Sequence, residues 1–118
     1  MSRPVSDPIF TMMGCAYRRD RYAKAGDVLE KHAHTGDHGF DHGAWVEQGS
    51  AKVVWYDPPH EATLVAGQSG AAMFRKGRFH SIEALEDNTI VMSVMPGDAA
   101  VGDATDDAQG HIGCGEKK

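Results

Sequence analysis

Residues 26–49 read GDVLEKHAHTGDHGFDHGAWVEQG, and this stretch decides the fold. Residues 28–34 have the pattern of a β-strand, in which successive side chains point to opposite faces. A period of two places Glu30, His32 and His34 on one face of that strand. Leu29 then lies on the other face. The predicted strand therefore presents two imidazoles on the same side.

Four of the chain's seven histidines lie within this stretch. This clustering of histidines has two interpretations. One is a metal site, because neutral imidazole is a common ligand of Zn, Fe, Ni and Cu. The other is a polar loop that happens to be rich in His, Gly and Asp. His80 favours the metal site, since it lies on a later predicted strand just after a glycine turn.

Short β-like runs alternate with turn signals along the rest of the chain, and no helical stripe of apolar residues is present. Fourteen glycines and five prolines separate the runs, which is typical of turns in an all-β protein. We predict roughly seven to nine strands in a barrel or sandwich, with a hairpin turn at residues 48–50. Met73, Met92 and Met95 are predicted to be core residues.

The chain has 118 residues, a length that suits one domain. We predict a single domain over residues 1–96, followed by a Gly- and Asp-rich tail over residues 97–118 that is flexible or runs along the surface. Cys15 and Cys114 are the two cysteines. Because no secretion signal is visible, two free thiols in a reducing cytoplasm are expected, and a disulfide between the two cysteines is the alternative.

The formal net charge of −5 argues against a nucleic-acid partner. The short basic runs at residues 17–21 and 75–78 are predicted to be strand-edge or pocket cations. No apolar run approaches the roughly 20 residues of a membrane-spanning helix. We therefore expect a cytoplasmic protein whose partners are neither nucleic acid nor a membrane.

At the histidines the sequence resembles a small single-domain cupin, of the RmlC-like jelly-roll type. The first motif of that family runs G-x5-H-x-H-x3,4-E-x6-G. Gly26, His32 and His34 match its opening without a gap. Gly49 matches its end if His42 takes the position of the glutamate.

The second cupin motif runs G-x5-P-x-G-x2-H-x3-N, and Gly77 and His80 match its centre. Arg75 stands where proline is usual, and Ala84 stands where asparagine is usual. The resemblance covers about residues 20–95. It implies an all-β fold, namely a cupin-type double-stranded β-helix or jelly-roll barrel with little helix.

The resemblance also implies a metal site with four histidine ligands, His32, His34, His42 and His80. The third ligand is open between two residues. His38 keeps the family's shorter spacing, whereas His42 keeps the register with Gly49. We prefer His42 and place His38 at the mouth of the pocket. Imidazole suits Fe, Ni, Zn, Cu and Mn alike, so the prediction is one divalent transition metal of open identity.

An all-histidine shell leaves the charge of a divalent metal uncompensated, which favours a small anionic organic ligand. Glu30 is the candidate general base, or the group that orients a ligand histidine. A solvated strand end is an equally good interpretation of Glu30. Tyr22 and Arg78 are candidates for contacts with an anionic substrate, with surface ion pairs as the alternative.

Two classes of function follow from the resemblance. The first is a metal-dependent enzyme of the dioxygenase, lyase or isomerase class that acts on a small anionic organic substrate. The second is a non-catalytic cupin that binds or senses a metal or a small ligand. A homodimer is expected in either case, because Trp45 and an apolar early strand offer surface to bury.

Overall fold

The computed structural model describes residues 2–33, 40–68 and 70–97. The secondary structure of this part consists of ten strands: β1 (Val5–Ser6), β2 (Phe10–Met12), β3 (Cys15–Tyr22), β4 (Val28–His32), β5 (His42–Gln48), β6 (Ser50–Trp55), β7 (His60–Val65), β8 (Ala72–Phe74), β9 (His80–Ala84) and β10 (Thr89–Pro96). Within these ranges nothing helical is long and apolar enough to span a membrane. His34, His38 and the predicted tail beyond Gly97 lie outside the described residues.

The strands form two antiparallel sheets. The larger sheet has the order β1, β3, β10, β5, β8, with β2 also paired to β3. The smaller sheet has the order β4, β9, β6, β7. Most neighbours within a sheet are far apart in the chain, as β3 and β10 are. This arrangement confirms the predicted all-β jelly roll.

The main apolar core lies between the two sheets, because both contribute to it. Tyr22, Val46 and Phe74 come from the larger sheet, and Val53 and Ile82 come from the smaller one. Each fully buried aliphatic or aromatic side chain of this kind contributes about 1.5–3 kcal/mol relative to an exposed one. The layer between the sheets is therefore the main source of stability.

A second, smaller apolar cluster contains Ala16, Phe40 and Met95. Along β3 and β10 this cluster is separated from the main core by a cross-strand pair, Arg18 and Ser93. Both side chains of that pair are buried. We call this pair the polar layer, since it interrupts the apolar interior of the barrel.

Gly49 is the corner at which the chain passes from one sheet to the other. The strand before it, β5, pairs with β10 and β8, whereas the strand after it, β6, pairs with β7 and β9. The predicted hairpin at residues 48–50 is therefore wrong. Gly49 has φ +83°, and a Cβ placed there would lie 2.5 Å from Oγ1 of Thr89. The corner requires glycine both for its backbone conformation and for its space.

A β-bulge interrupts the pairing of β4 with β9. Leu29 pairs with Ile82 and His32 pairs with His80, so an extra residue lies on β4 between these two pairs. Leu29 consequently belongs to the core, whereas Glu30 is exposed. The predicted face shared by Glu30 and His32 is therefore wrong, because strict alternation does not hold across a bulge.

Two expectations for sulfur-containing side chains are also wrong. Met73 is 56% exposed rather than part of the core, although Met92 and Met95 are buried as predicted. Cys15 is disulfide-bonded, so it is not a free thiol. Cys114 lies outside the described residues.

The outer face of the larger sheet carries a row of cross-strand partners that runs across five strands. Phe10 pairs with Tyr17, and Tyr17 pairs with Val94. Val94 pairs with Gly43, and Gly43 pairs with Met73. The rings of Phe10 and Tyr17 stack with centroids 5.3 Å apart. We call these five residues the outer row, and its two ends are exposed apolar side chains.

Candidate metal centre

Three histidines come together at one end of the barrel. His32 ends β4 and His80 begins β9, and these two residues are cross-strand partners with ring centroids 4.3 Å apart. His42 begins β5 in the opposite sheet, and its ring centroid lies 5.4 Å from that of His80. The fold therefore joins histidines that are up to 48 residues apart in sequence.

Two of these rings are oriented by the backbone in the same way. Nδ1 of His32 lies 2.6 Å from the carbonyl oxygen of Glu30, and Nδ1 of His80 lies 2.9 Å from that of Arg78. A carbonyl oxygen only accepts hydrogen bonds, so Nδ1 carries the proton in both rings. The lone pair of a neutral ring then lies on Nε2, which is the arrangement that histidine ligands of metals usually have.

Aromatic side chains form one wall beside the histidines. The ring of Phe74 stacks on His80 at 4.1 Å and lies 4.8 Å from His42. Trp55 lies behind Phe74 at 5.6 Å, and its indole nitrogen donates to the carbonyl oxygen of Met73 at 3.1 Å. This wall excludes water from one side of the histidine cluster.

The environment keeps His80 neutral. Burial is the largest cause that lowers the pKa of His80 to about 3, followed by the charge of His32. The bond to the carbonyl of Arg78 acts in the opposite direction, and the charge of Arg18 lowers the pKa further. Because only neutral imidazole binds a metal, this environment keeps the ring competent as a ligand in mildly acidic solution.

Two of the five candidate histidines, His34 and His38, lie outside the described residues. Among the described residues, no group of three or more His, Cys, Asp or Glu side chains is placed so that it could hold a metal ion, and this includes the trio of His32, His42 and His80. The described part of the candidate centre is therefore two contacts that share one ring, His32 with His80 and His42 with His80. The choice between His38 and His42 as third ligand stays a prediction.

The other predicted site residues lie apart from this cluster. Tyr22 is fully buried in the main core, where it pairs with Thr89 at the far end of β3, so its predicted place at the pocket mouth is wrong. Arg78 lies at the histidine end, but its guanidinium donates to the carbonyl oxygens of Tyr56 and Pro58 at 3.4 and 2.7 Å. Arg78 thus holds the loop between β6 and β7. The exposed side chain of Glu30 gives it no place in the cluster.

Arg18 was missed as a site residue. It lies on the inner face of β3 and is only 5% exposed, and its charge acts on His80. The basic run at residues 17–21 conceals it, because its two arginine neighbours Arg19 and Arg21 point outward. A signal was nevertheless present, since Ala16, Arg18 and Tyr22 share one face at a period of two.

The two facing sheets with histidines at one end define the class of the chain: it has the cupin jelly-roll fold. Solved cupins are similar to it in structure. One is a cupin-2 domain protein from Shewanella frigidimarina, which is 20% identical, with 81% of this chain and 83% of that chain covered and a TM-score of 0.61. Another is an RmlC-like cupin protein from Desulfovibrio desulfuricans, which is 17% identical, with 78% and 81% covered and a TM-score of 0.61.

Among named enzymes, the chain is similar to the oxalate decarboxylase of Bacillus subtilis, a protein with Mn(II) centres. The two are 27% identical over 70% of this chain, with a TM-score of 0.59. The chain spans about a fifth of the length of that enzyme, since 21% of the decarboxylase is covered. No family model matches the sequence, and no curated protein matches it.

Proposed function

We propose that the chain binds one divalent transition metal through His32, His42 and His80, with His34 as the fourth ligand. We further propose that it acts on a small anionic organic molecule at this centre. The observation that carries the proposal is the convergence of three histidine rings from three strands and both sheets. Two of these rings have their Nδ1 atoms engaged by backbone carbonyls, which suits metal binding through Nε2.

The chemistry of the donor set supports an anionic substrate. A bound divalent metal would supply a Lewis acid that polarises a carbonyl or carboxylate oxygen. The described histidines are neutral donors and leave the charge of such an ion uncompensated. The Mn(II) centres of the similar oxalate decarboxylase support a divalent metal in this fold. The proposed reaction class remains dioxygenase, lyase or isomerase.

One observation favours the second candidate function, a cupin that binds or senses a ligand without turnover. Glu30 was the one candidate for a general base beside the metal, and its side chain is exposed beyond the bulge. A proton transfer at the centre would therefore need a different group. Turnover by the metal-loaded protein, followed by NMR with a panel of small organic acids, distinguishes the two functions. Saturable binding without any product would support the sensor.

The metal centre is tested by the metal content of protein purified without an affinity tag. His42→Ala should reduce the bound metal sharply, because it removes a ligand nitrogen. His38→Ala should leave the metal content nearly unchanged. His60→Ala is the matched control, since His60 is exposed and lies outside the cluster. Loss of metal in His38→Ala with retention in His42→Ala would reverse the assignment, and wild-type protein without metal would refute the proposal.

We also propose that the chain forms a homodimer through the outer row. Phe10 is 47% exposed and Met73 is 56% exposed at its two ends, and β2 adds Met12. A stable interface buries about 800 Å² per partner, and the outer row extends across five strands of the larger sheet. Sedimentation should show a dimer at micromolar concentration. Phe10→Glu should give monomers, whereas an unchanged dimer would exclude this face.

A further inference from the structure

We infer that Arg18 binds a carboxylate group of the substrate inside the barrel, opposite the histidine cluster. The inference rests on the proposed function, because it names the substrate class of the same centre. Arg18 would determine specificity for small organic acids that carry a carboxylate at the end remote from the histidines. The position of Arg18, its small neighbours and its chemistry fit this role.

The position of Arg18 follows from the alternation of β3. The buried residues Ala16, Arg18, Asp20 and Tyr22 face the interior, and the residues between them face outward. Arg18 pairs with Ser93 on β10, and Ser93 pairs with Ala44 on β5. His42 lies two residues before Ala44 on the same inner face.

The ladder gives the separation of Arg18 from the histidines. Two strand spacings across the sheet and two residues along β5 place the Cα atoms of Arg18 and His42 about 12 Å apart. Both side chains project into the same interior, so a molecule of a few carbon atoms can contact both.

Small side chains adjoin Arg18 on the inner wall. The residues that continue its row across the sheet are Ser93, Ala44 and Ala72, paired in that order. Core positions in such a row usually carry larger aliphatic side chains that fill the interior. The row therefore places only short side chains between Arg18 and the strand that carries His42.

The buried ion pair of Arg18 with Asp20 is difficult to explain by stability alone. The guanidinium of Arg18 donates to Asp20 at 3.1 Å, and Asp20 accepts a bond from the hydroxyl of Ser6 at 2.6 Å. Buried ion pairs are often no more stabilising than apolar residues of similar volume, because both charges lose their hydration. A buried ion pair that adds so little stability is consistent with a role of Arg18 in ligand binding.

The chemistry of Arg18 fits a carboxylate. A guanidinium has five N–H donors in a planar fork, and it binds carboxylates with two parallel hydrogen bonds. Asp20 orients the fork from one side, as a positioning residue. The ligand class is therefore a small organic acid with one carboxylate on Arg18 and a second polar group, such as another carboxylate, at the histidine end.

The test compares Arg18→Met with Arg19→Met by calorimetric titration of the purified protein with malonate, succinate and inorganic phosphate. Arg19 is the matched control, because it is the next residue and pairs on the outside with Asp7 and Glu47 at 3.8 and 3.5 Å. Arg18→Met should weaken binding of at least one dicarboxylate tenfold or more, with unchanged metal content. Arg19→Met should bind like wild type.

Several outcomes would overturn the inference: wild-type protein that binds neither acid, Arg18→Met that binds as wild type does, or an equal loss in Arg19→Met. Phosphate binding tighter than dicarboxylate binding would overturn the carboxylate assignment. If wild type holds no metal while Arg18 still governs acid binding, the proposed metal centre fails and this inference stands. If the wild-type protein holds metal but its acid binding does not depend on Arg18, the proposed metal centre stands and this inference fails.

Arg18→Met leaves the carboxylate of Asp20 buried without its partner, and this variant can fail to fold. The double variant Arg18→Met/Asp20→Asn removes both charges and serves in its place. The wild-type protein offers an independent measurement. In ¹⁵N-labelled protein the Nε–H signal of a buried arginine exchanges slowly with water, and it should shift on addition of the dicarboxylate. No shift at saturation would refute the inference.

Discussion

Replacement of Gly49 by alanine tests the corner between the two sheets. Two physical effects act on the variant. An alanine at φ +83° adopts the left-handed conformation, which costs about 1–2 kcal/mol. The new Cβ would also lie 2.5 Å from Oγ1 and 3.1 Å from Cα of Thr89, and overpacking of this kind costs about 1–3 kcal/mol.

Thr89 cannot move aside freely. Its hydroxyl lies 2.9 Å from the carbonyl oxygen of Glu86 and 3.2 Å from that of Ser50. A rotation that relieved the clash would break these bonds in a buried place. The sum of the two effects predicts that Gly49→Ala lowers the free energy of unfolding by about 2–5 kcal/mol.

Gly67→Ala is the matched control for this prediction. Gly67 has φ +77°, and nothing lies within 4 Å of its virtual Cβ, so only the conformational cost of about 1–2 kcal/mol applies. Urea unfolding, followed by fluorescence, gives the loss in free energy of unfolding for each variant. The difference between the two losses measures the steric clash at Gly49. Equal losses in the two variants would refute the steric argument for the corner. Thr89→Ala removes the Oγ1 atom that the new Cβ would meet. The double variant should therefore lose less free energy of unfolding than the sum of the losses in the two single variants.

Three further predictions concern single side chains. Because the pKa of His80 is lowered from 6.5 to about 3, the metal-free folded state binds fewer protons than the unfolded chain between about pH 6.5 and about pH 3. The free energy of unfolding should thus fall on acidification with a contribution of up to about 1.4 kcal/mol per pH unit, and His80→Gln should remove that slope in urea titrations at several pH values. The backbone N–H groups of Ser2 and Lys24 donate to Asp27 at 3.0 and 3.1 Å and lower the pKa of its carboxyl group. Asp27→Asn should therefore be less stable than wild type at neutral pH. The difference in free energy of unfolding should narrow as the pH falls through the pKa of Asp27 in the folded state. Glu30→Gln should leave the metal content unchanged because the side chain is exposed, and a loss of metal measured by elemental analysis would contradict the outward face.

The features that were predicted from the sequence depend on local signals. Glycine turns and a period of two located the strands, and β3, β4 and β5 lie where the patterns indicated. The proximity of His32 and His80 was anticipated because the two family motifs bring histidines from distant strands to one site, whereas their cross-strand pairing was not. The fold was therefore predictable, since it repeats the same local signal many times along the chain.

The features that were missed depend on contacts between distant segments. No local pattern distinguishes a glycine in a hairpin from Gly49, because the difference is the sheet to which the next strand pairs. The bulge before His32 is visible only against its partner strand β9. The period of two places Arg18 on the same face as Ala16 and Tyr22, but only the neighbouring strands show that this face is the interior.

The bulge in β4 has a consequence for insertions and deletions in this part of the chain. Between Leu29 and His32 there are two residues, where a regular strand would need only one to keep both ends on the same face. A deletion of Glu30 would therefore preserve the inward contacts at both ends rather than reverse them. A homologous chain with four residues between Gly26 and the first histidine would carry that histidine to the same place. The five residues between Gly26 and His32 include the bulge. The number of residues alone therefore does not determine which way the histidine points.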